Sequence, residues 1–159
     1  MRDDIEVRAS TEADREWIRR QLTDSWGSHM LVLRGELLDA TGCPALIAGD
    51  RDGLLHYRAL SDDVCEIVTL EAFRTGRGIG TVLVETLAAR ARAEGRKRLL
   101  VVTTNDNLDA LRFYQARGFR LHALRPGAVE AARRLKPEIA PTGNYGLPIR
   151  DELELIRDL

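Results

Sequence analysis

The sequence predicts one domain of the α+β (mixed α/β) class that spans residues 1–159. Its length suits a single domain, and its 44% hydrophobic composition suffices for a sizeable core. Short apolar or alternating runs typical of strands recur along the chain, and segments with helical three-and-four spacing lie between them. In addition, an apolar strand leads through a glycine-rich turn directly into a helix.

The first half of the chain predicts mainly strands. Residues 5–8 alternate like a strand, and Ser10 or Thr11 then caps a helix that carries Trp17, Ile18 and Leu22. Residues 29–38 fit either a strand or a short helix and a loop. Two apolar runs, 45–48 and 54–57, flank an Asp-Gly turn and predict an antiparallel hairpin, and residues 64–70 form the next strand of the meander.

The second half predicts helices and strands in alternation. Residues 78–94 carry one apolar stripe and form a helix, and Gly95 ends it. The run 98–103 is apolar throughout, as expected of a strand that is covered on both faces. The remaining predicted elements are a helix from 105–107 to Gly118, a strand at 119–124, a helix at 127–135, a loop at 138–148 and a strand at 152–156.

Composition excludes several classes of partner. The net charge is −1 with 31% charged residues, so nothing indicates a nucleic-acid partner. Cys43 and Cys65 form no disulfide framework, no metal-ligand spacing is present, and we expect both to be small buried residues. The N-terminus has no apolar signal region and no run reaches membrane-spanning length, so we expect a cytoplasmic protein without a membrane partner.

The glycine-rich turn is the first candidate ligand site. Gly76, Gly78 and Gly80 occupy every second position just before the helix. Glycine lets several backbone N–H groups converge beside the positive end of a helix, which is a favourable arrangement for phosphate. The spacing matches neither the dinucleotide fingerprint nor the P-loop, and an ordinary tight strand–helix connection is the alternative.

Two motifs together resemble the GNAT superfamily of acyl-CoA-dependent N-acyltransferases. Residues 75–80, Thr-Gly-Arg-Gly-Ile-Gly, resemble its pyrophosphate loop R/Q-x-x-G-x-G/A. Residues 107–119 resemble its N-x-x-A-x-x-x-Y-x-x-x-G-F segment. The likeness covers roughly residues 5–124 and is strongest over 64–120. It implies a central mixed sheet of six to seven strands, which parts between its fourth and fifth strands and carries helices on both faces.

The resemblance also implies acetyl-CoA as co-substrate, with its pantetheine arm between the strands at 64–70 and 99–103. The first position of the loop motif, usually Arg or Gln, is Thr75 here, and Arg74 or Arg77 could supply charge to the phosphates. The backbone N–H of Leu70 is the implied donor to the oxyanion, and Asn107 contacts the cofactor, caps the helix, or does both. The implied cofactor-binding residues are Leu70, Thr75, Gly76, Arg77, Gly78, Ile79, Gly80, Thr81, Asn107, Ala110 and Tyr114.

Tyr114 and Glu66 are the candidate catalytic residues. A phenol is protonated at neutral pH and can pass its proton to a leaving thiolate. Tyr114 could instead be a half-buried helix residue packed beside Phe113. Glu66 resembles the strand glutamate that serves as base in histone-acetylating members, and desolvation would raise its pKa. Alternation places Glu66, Val68 and Leu70 on one face. Glu71, on the other face, is the weaker candidate.

The function thus predicted is transfer of an acetyl group from acetyl-CoA to a primary amine of a small molecule or peptide, by direct attack in a ternary complex. A non-catalytic acyl-CoA-binding or regulatory module and a nucleotide-binding protein are the alternatives. The acceptor pocket would form from the first helix, residues 25–38 and residues 126–159, whose sequence names no acceptor. The resemblance also allows a homodimer. His29, His56 and His122 lie outside the motifs, and we expect structural roles for them.

Overall fold

The computed structural model describes residues 4–159, with nine strands and four α-helices. Residues 1–3, part of the N-terminus for which no signal segment is predicted, lie outside the described residues. The strands are β1 (Val7–Ala9), β2 (Met30–Leu33), β3 (Glu36–Asp39), β4 (Ala45–Ala48), β5 (Gly53–Ala59), β6 (Val64–Ala72), β7 (Arg98–Thr104), β8 (Arg120–Arg125) and β9 (Glu152–Asp158). The helices are α1 (Arg15–Trp26), α2 (Ile79–Ala93), α3 (Leu108–Gln115) and α4 (Ala128–Leu135). No helix within 4–159 is long and apolar enough to cross a membrane.

Seven strands form the main sheet, in the order β1-β4-β5-β6-β7-β9-β8, and β2 and β3 form a separate hairpin. The predicted meander is confirmed, because β4, β5 and β6 pair antiparallel in succession. β6 and β7 are parallel and are connected through α2, while β9 lies antiparallel between β7 and β8. The predicted mixed fold is confirmed, and residues 29–38, which the sequence left open, form the β2–β3 hairpin.

Each face of the sheet has its own apolar core. On one face, α2 buries the stripe of Ile79, Leu83 and Leu87 against strand residues such as Ile67 and Val101, and α3 joins this core. On the other face, Ile18 and Leu22 of α1 pack with the β2–β3 hairpin over Ile47, Leu54 and Val68. We call these the α2 face and the α1 face. Helices therefore cover both faces, as predicted.

A β-bulge in β6 changes which side chains share a face. Thr69 pairs with His56 and Ile67 pairs with Tyr57, so Val68 is one extra residue between them. Val68 packs into the core of the α1 face, whereas Leu70 packs against the core of the α2 face. The predicted grouping of Val68 with Leu70 is therefore wrong, because alternation by two residues does not continue across a bulge.

The sheet parts just beyond this bulge. The parallel pairing of β6 with β7 covers only four residue pairs, from Val64–Arg98 to Ile67–Val101. β6 continues to Ala72 and β7 to Thr104, but no further pairs form between them. These are the fourth and fifth strands across the main sheet, so the predicted separation is present at the predicted place.

Candidate functional site

The gap between β6 and β7 opens into a cavity of about 710 Å³ on the α1 face. Val68 lines it on the β6 side and residues 102–104 line it on the β7 side. The end of α1, strand β2, helix α4 and the loop 138–149 supply the remaining walls. The sequence regions predicted to shape an acceptor pocket thus surround the cavity, which connects with the separated strand ends.

The glycine-rich turn presents free backbone donors at the start of α2. Gly76 and Gly78 have φ angles of +77° and +73°, which glycine adopts without strain. Within the described residues, no protein group accepts a hydrogen bond from any backbone N–H of residues 76–81. Free N–H groups at the positive end of a 15-residue helix form an arrangement that suits a phosphate group.

The two arginines beside this turn differ in availability. Arg74 forms an ion pair with Asp52, with 3.0 Å between Nε and Oδ1. Arg77 forms no ion pair with any residue of 4–159. Thr75, which stands where the family motif usually has Arg or Gln, is exposed. Arg77 is therefore the guanidinium free to meet an anion near the turn.

The third glycine of the turn has a packing role that the motif does not reveal. A Cβ atom on Gly80 would lie 3.1 Å from two ring carbons of Phe113 on α3. The neighbouring Thr81 accepts a hydrogen bond of 2.7 Å from Nε of Arg117, and that guanidinium covers the Phe113 ring. These contacts hold the start of α2 directly against α3, the helix that carries Tyr114.

Tyr114 lies in the core of the α2 face and is 6% exposed. Its ring makes edge-to-face contacts with Phe113 and Phe119. Burial raises the pKa of the phenol above its usual value, so the hydroxyl keeps its proton at neutral pH. The packing role beside Phe113 is therefore observed, and a proton-donor role is compatible with it. At the start of α3, Asn107 accepts a hydrogen bond from the Ala110 N–H and lines the cavity, so it caps the helix.

Glu66, the predicted base, is fully buried and held by two arginines. Arg58 Nε lies 2.7 Å from Glu66 Oε1, and Arg34 Nη1 lies 3.1 Å from Oε2. Arg34 begins the tight turn of the β2–β3 hairpin, and Arg58 also pairs with Glu36 on that hairpin. Each carboxylate oxygen thus lies within ion-pair distance of a guanidinium group. These contacts favour a structural role, in which Glu66 anchors the hairpin that walls the cavity.

Glu71, unlike Glu66, forms no ion pair within the described residues. It faces the end of α1, near Ser25 and Trp26, and so lies on the α1 face beyond the separation of β6 and β7. Both carboxylate oxygens are buried, and neither accepts a hydrogen bond of normal geometry from the described residues. Burial raises the pKa of Glu71, and Ser25 and Trp26 offset part of that rise. An unpaired carboxylate with a raised pKa is a suitable general base.

Among the histidines, His56 has a structural role. His56 is 1% exposed, its Nδ1 lies 2.7 Å from Thr69 Oγ1, and burial lowers its pKa to about 4. It is therefore neutral at physiological pH and joins β5 to β6. Within residues 4–159, no group of three or more His, Cys, Asp or Glu side chains is placed to hold a metal ion.

Lys136 is a further cavity residue that no sequence pattern indicates. It follows α4, is 7% exposed, and donates from Nζ to the backbone oxygen of Trp26 at 2.7 Å. The two residues lie 110 positions apart in the sequence. Only the packing of α4 beside the end of α1 brings this lysine to the cavity.

Comparison with known proteins gives one consistent family. The model of the Acetyltransferase (GNAT) family matches residues 13–119. The uncharacterized protein YxbD of Bacillus subtilis (strain 168) is 40% identical over 141 residues, which cover 84% of this chain and 86% of YxbD.

Solved structures show the same fold. The IAA acetyltransferase from Bacillus cereus ATCC 14579 has a TM-score of 0.77 at 20% identity, covering 98% of this chain and 100% of that one. A GNAT family acetyltransferase from Elizabethkingia anophelis, solved with acetyl-CoA bound, has a TM-score of 0.70 at 18% identity, covering 99% of each chain. At these identities the likeness concerns the fold.

Proposed function

This chain belongs to the GNAT acetyltransferase family, and from that premise we propose that it transfers an acetyl group from acetyl-CoA to a primary amine. The observation that carries the proposal is the separation of β6 from β7. Residues on both sides of this gap line the 710 Å³ cavity, and β6 continues into the turn whose N–H groups are free within the described residues. One end of the gap suits a diphosphate and the other end suits an acceptor, so donor and acceptor would meet at the gap.

In this proposal the N–H groups of residues 76–81 and the Arg77 guanidinium hold the pyrophosphate. The pantetheine arm occupies the gap between β6 and β7, where the strand ladder has ended. Leu70 lies in the part of β6 that pairs with β5 but no longer with β7, and its backbone N–H is our candidate donor to the thioester carbonyl oxygen. The residues present fit the co-substrate, since no side chain within the described residues satisfies the N–H groups of the turn.

Two side chains carry the proton transfers. Glu71 takes a proton from the amine, directly or through one water, as the nitrogen attacks the thioester carbonyl carbon. Tyr114 donates its hydroxyl proton to the sulfur as the carbon–sulfur bond breaks, and it regains a proton from solvent. Glu71 replaces Glu66 as the base in this proposal, because Glu71 has no charged partner in the described part of the chain whereas Glu66 has two.

The test is a thiol-release assay with acetyl-CoA over a panel of polyamines, amino acids, aminoglycosides and peptides. Isothermal calorimetry with coenzyme A, ATP and NAD accompanies it. Selective binding of coenzyme A with thiol release for at least one amine supports the proposal. Selective binding without release for any acceptor would instead favour a non-catalytic acyl-CoA-binding module, and preference for ATP or NAD would favour a nucleotide-binding protein.

Tyr114→Phe tests the proposed acid within the same assay. The variant keeps the ring contacts with Phe113 and Phe119 and removes only the hydroxyl. We expect kcat to fall by about 10²-fold while the Kd for coenzyme A stays within about twofold. Equal losses in kcat and in cofactor affinity would assign the hydroxyl to binding and remove its role as an acid.

A further inference from the structure

Lys136 is a buried cation in the wall of the cavity, and it has no charged partner among residues 4–159. Its residue is 7% exposed, and its described hydrogen bond runs from Nζ to the Trp26 carbonyl oxygen. No carboxylate lies within ion-pair distance of Nζ in the part of the chain that the structure describes. An ammonium group has three donors, so two N–H groups stay available. Burying an unpaired charge is costly, which makes this lysine unusual in a cavity wall.

The acidic residues of the cavity do not neutralise Lys136. Asp106 accepts from Thr104 Oγ1 and from the Asn144 backbone and side chain. Glu152 is paired with Arg125. Glu138 is exposed and acts on Lys136 only at longer range. Lys136 is thus the one cationic residue that lines the described cavity, and its charge is not compensated by contact.

The remaining walls are mostly apolar, and Lys136 contacts the same helix end as the proposed base. Leu31, Val68, Val102 and Val129 line the cavity. Lys136 and Glu71 both meet the last residues of α1, since Lys136 bonds to Trp26 and Glu71 faces Ser25 and Trp26. Within the described residues, an ammonium and a carboxylate that form no ion pair thus meet the same end of α1, and the ammonium lies in the wall of the cavity.

We infer that the acceptor is an amine that carries a carboxylate, such as a free amino acid with an apolar body, and that Lys136 binds this carboxylate. The inference rests on the proposed function and specifies its substrate class. An acceptor carboxylate would supply the missing charge partner of Lys136, while the amine end meets Glu71 at the gap. An acceptor without an anionic group would leave the buried ammonium uncompensated.

Stabilisation of the α1 terminus is the alternative role for Lys136, because a cation favours the negative end of a helix. The two roles differ in what they discriminate. A helix cap affects every acceptor equally, whereas a carboxylate-binding group affects only acceptors that have a carboxylate. The test therefore compares pairs of acceptors that differ in that group alone.

The experiment measures kcat/KM for leucine against 3-methylbutylamine and for phenylalanine against phenethylamine, by thiol release with acetyl-CoA. For each pair, the wild-type kcat/KM for the amino acid is divided by that for the amine, and this ratio is divided by the same ratio measured with Lys136→Met. The second division cancels the effect of the different amine pKa values of the two compounds. We expect this quotient to be about 10 or more, because a charge-assisted contact discriminates by that order. Lys97→Met is the control, since Lys97 is the chain's only other lysine and is exposed.

A quotient near 1, with the acids and the amines acetylated alike, would overturn the inference and leave the proposed function intact. If no compound releases thiol and calorimetry detects no coenzyme A binding, the proposed function fails instead. Saturation-transfer NMR of the same pairs on the coenzyme A complex gives a readout without turnover. In that measurement the wild type alone suffices, and equal binding of acid and amine contradicts the inference even where Lys136→Met does not fold.

Discussion

Replacing Glu66 and Glu71 separately by glutamine should have opposite consequences, because the two carboxylates lie on one strand in opposite surroundings. Glu66→Gln removes the charge that pairs with Arg58 at 2.7 Å and with Arg34 at 3.1 Å. Breaking a buried ion pair costs about 3–5 kcal/mol. Both arginine side chains stay about a fifth exposed (17% and 20%), so we expect the lower end, about 3 kcal/mol.

For a chain of this size, 3 kcal/mol corresponds to a melting temperature about 6–12 °C lower. Glu71→Gln should leave the melting temperature unchanged or raise it slightly, since it removes a buried charge that has no partner among residues 4–159. Differential scanning calorimetry of both variants measures these changes. Glu94→Gln is a matched control, because Glu94 is exposed and its contact with Arg96 is 3.9 Å long.

Activity should show the opposite order, with Glu71→Gln impaired more than Glu66→Gln. Glu71→Gln should lower kcat/KM by about 10²–10⁴-fold, whereas Glu66→Gln should retain most activity at temperatures well below its unfolding transition. Burial raises the pKa of Glu71 and the base must be deprotonated to act, so kcat/KM should rise with pH through that raised pKa. This limb of the pH–rate profile should be present in Glu66→Gln and absent in Glu71→Gln.

One pattern of results would refute this reasoning. If Glu66→Gln kept the wild-type melting temperature but lost the limb of the pH–rate profile, Glu66 would be the base as its sequence position predicts. Glu71→Gln would then retain the limb and most of its activity. The arginines would in that case tune Glu66 for proton transfer instead of fixing the hairpin.

Three further changes test the loop and the N-terminal part of the chain. Gly80→Ala puts a Cβ 3.1 Å from the Phe113 ring, so we expect a loss of about 1–3 kcal/mol in stability and weaker coenzyme A binding, read by calorimetry. Arg77→Ala should weaken coenzyme A binding by about fivefold and reduce its dependence on ionic strength; an unchanged Kd would exclude a phosphate contact. Hydrogen bonds from Arg8 hold the pKa of Asp14 below its ordinary value of 3.8, so its contribution to stability is full above that value and is lost as pH falls. Asp14→Asn should therefore cost about 2 kcal/mol at pH 7 and flatten the acid side of the stability curve, which urea titrations at several pH values would measure.

Local patterns predicted most of the elements, because each depends on neighbours a few residues away. The apolar stripe of α2, the apolar run of β7 and the Asp-Gly turn between β4 and β5 are signals of this kind. The sequence does not decide whether residues 29–38 form the β2–β3 hairpin. The reason is that Arg34 and Gly35, which form its turn at φ +51° and +76°, do not make a recognised turn pair. A bulge has no such local signature, so the alternation rule misplaced Leu70 and Glu71 relative to Glu66.

Two short motifs were enough to identify the family, and the family resemblance in turn gave the place where the sheet parts. The same motifs predict that the glycine-rich turn binds phosphate. Which charged groups are free becomes visible only once the chain is folded. Glu66 meets Arg34 across 32 residues and Lys136 meets Trp26 across 110, and no spacing in the chain encodes those distances. The physical reason is that charge and burial depend on every element packed around a group. Of two carboxylates on the same strand, the one at residue 66 can therefore be paired with arginines while the one at residue 71 has no partner among the described residues.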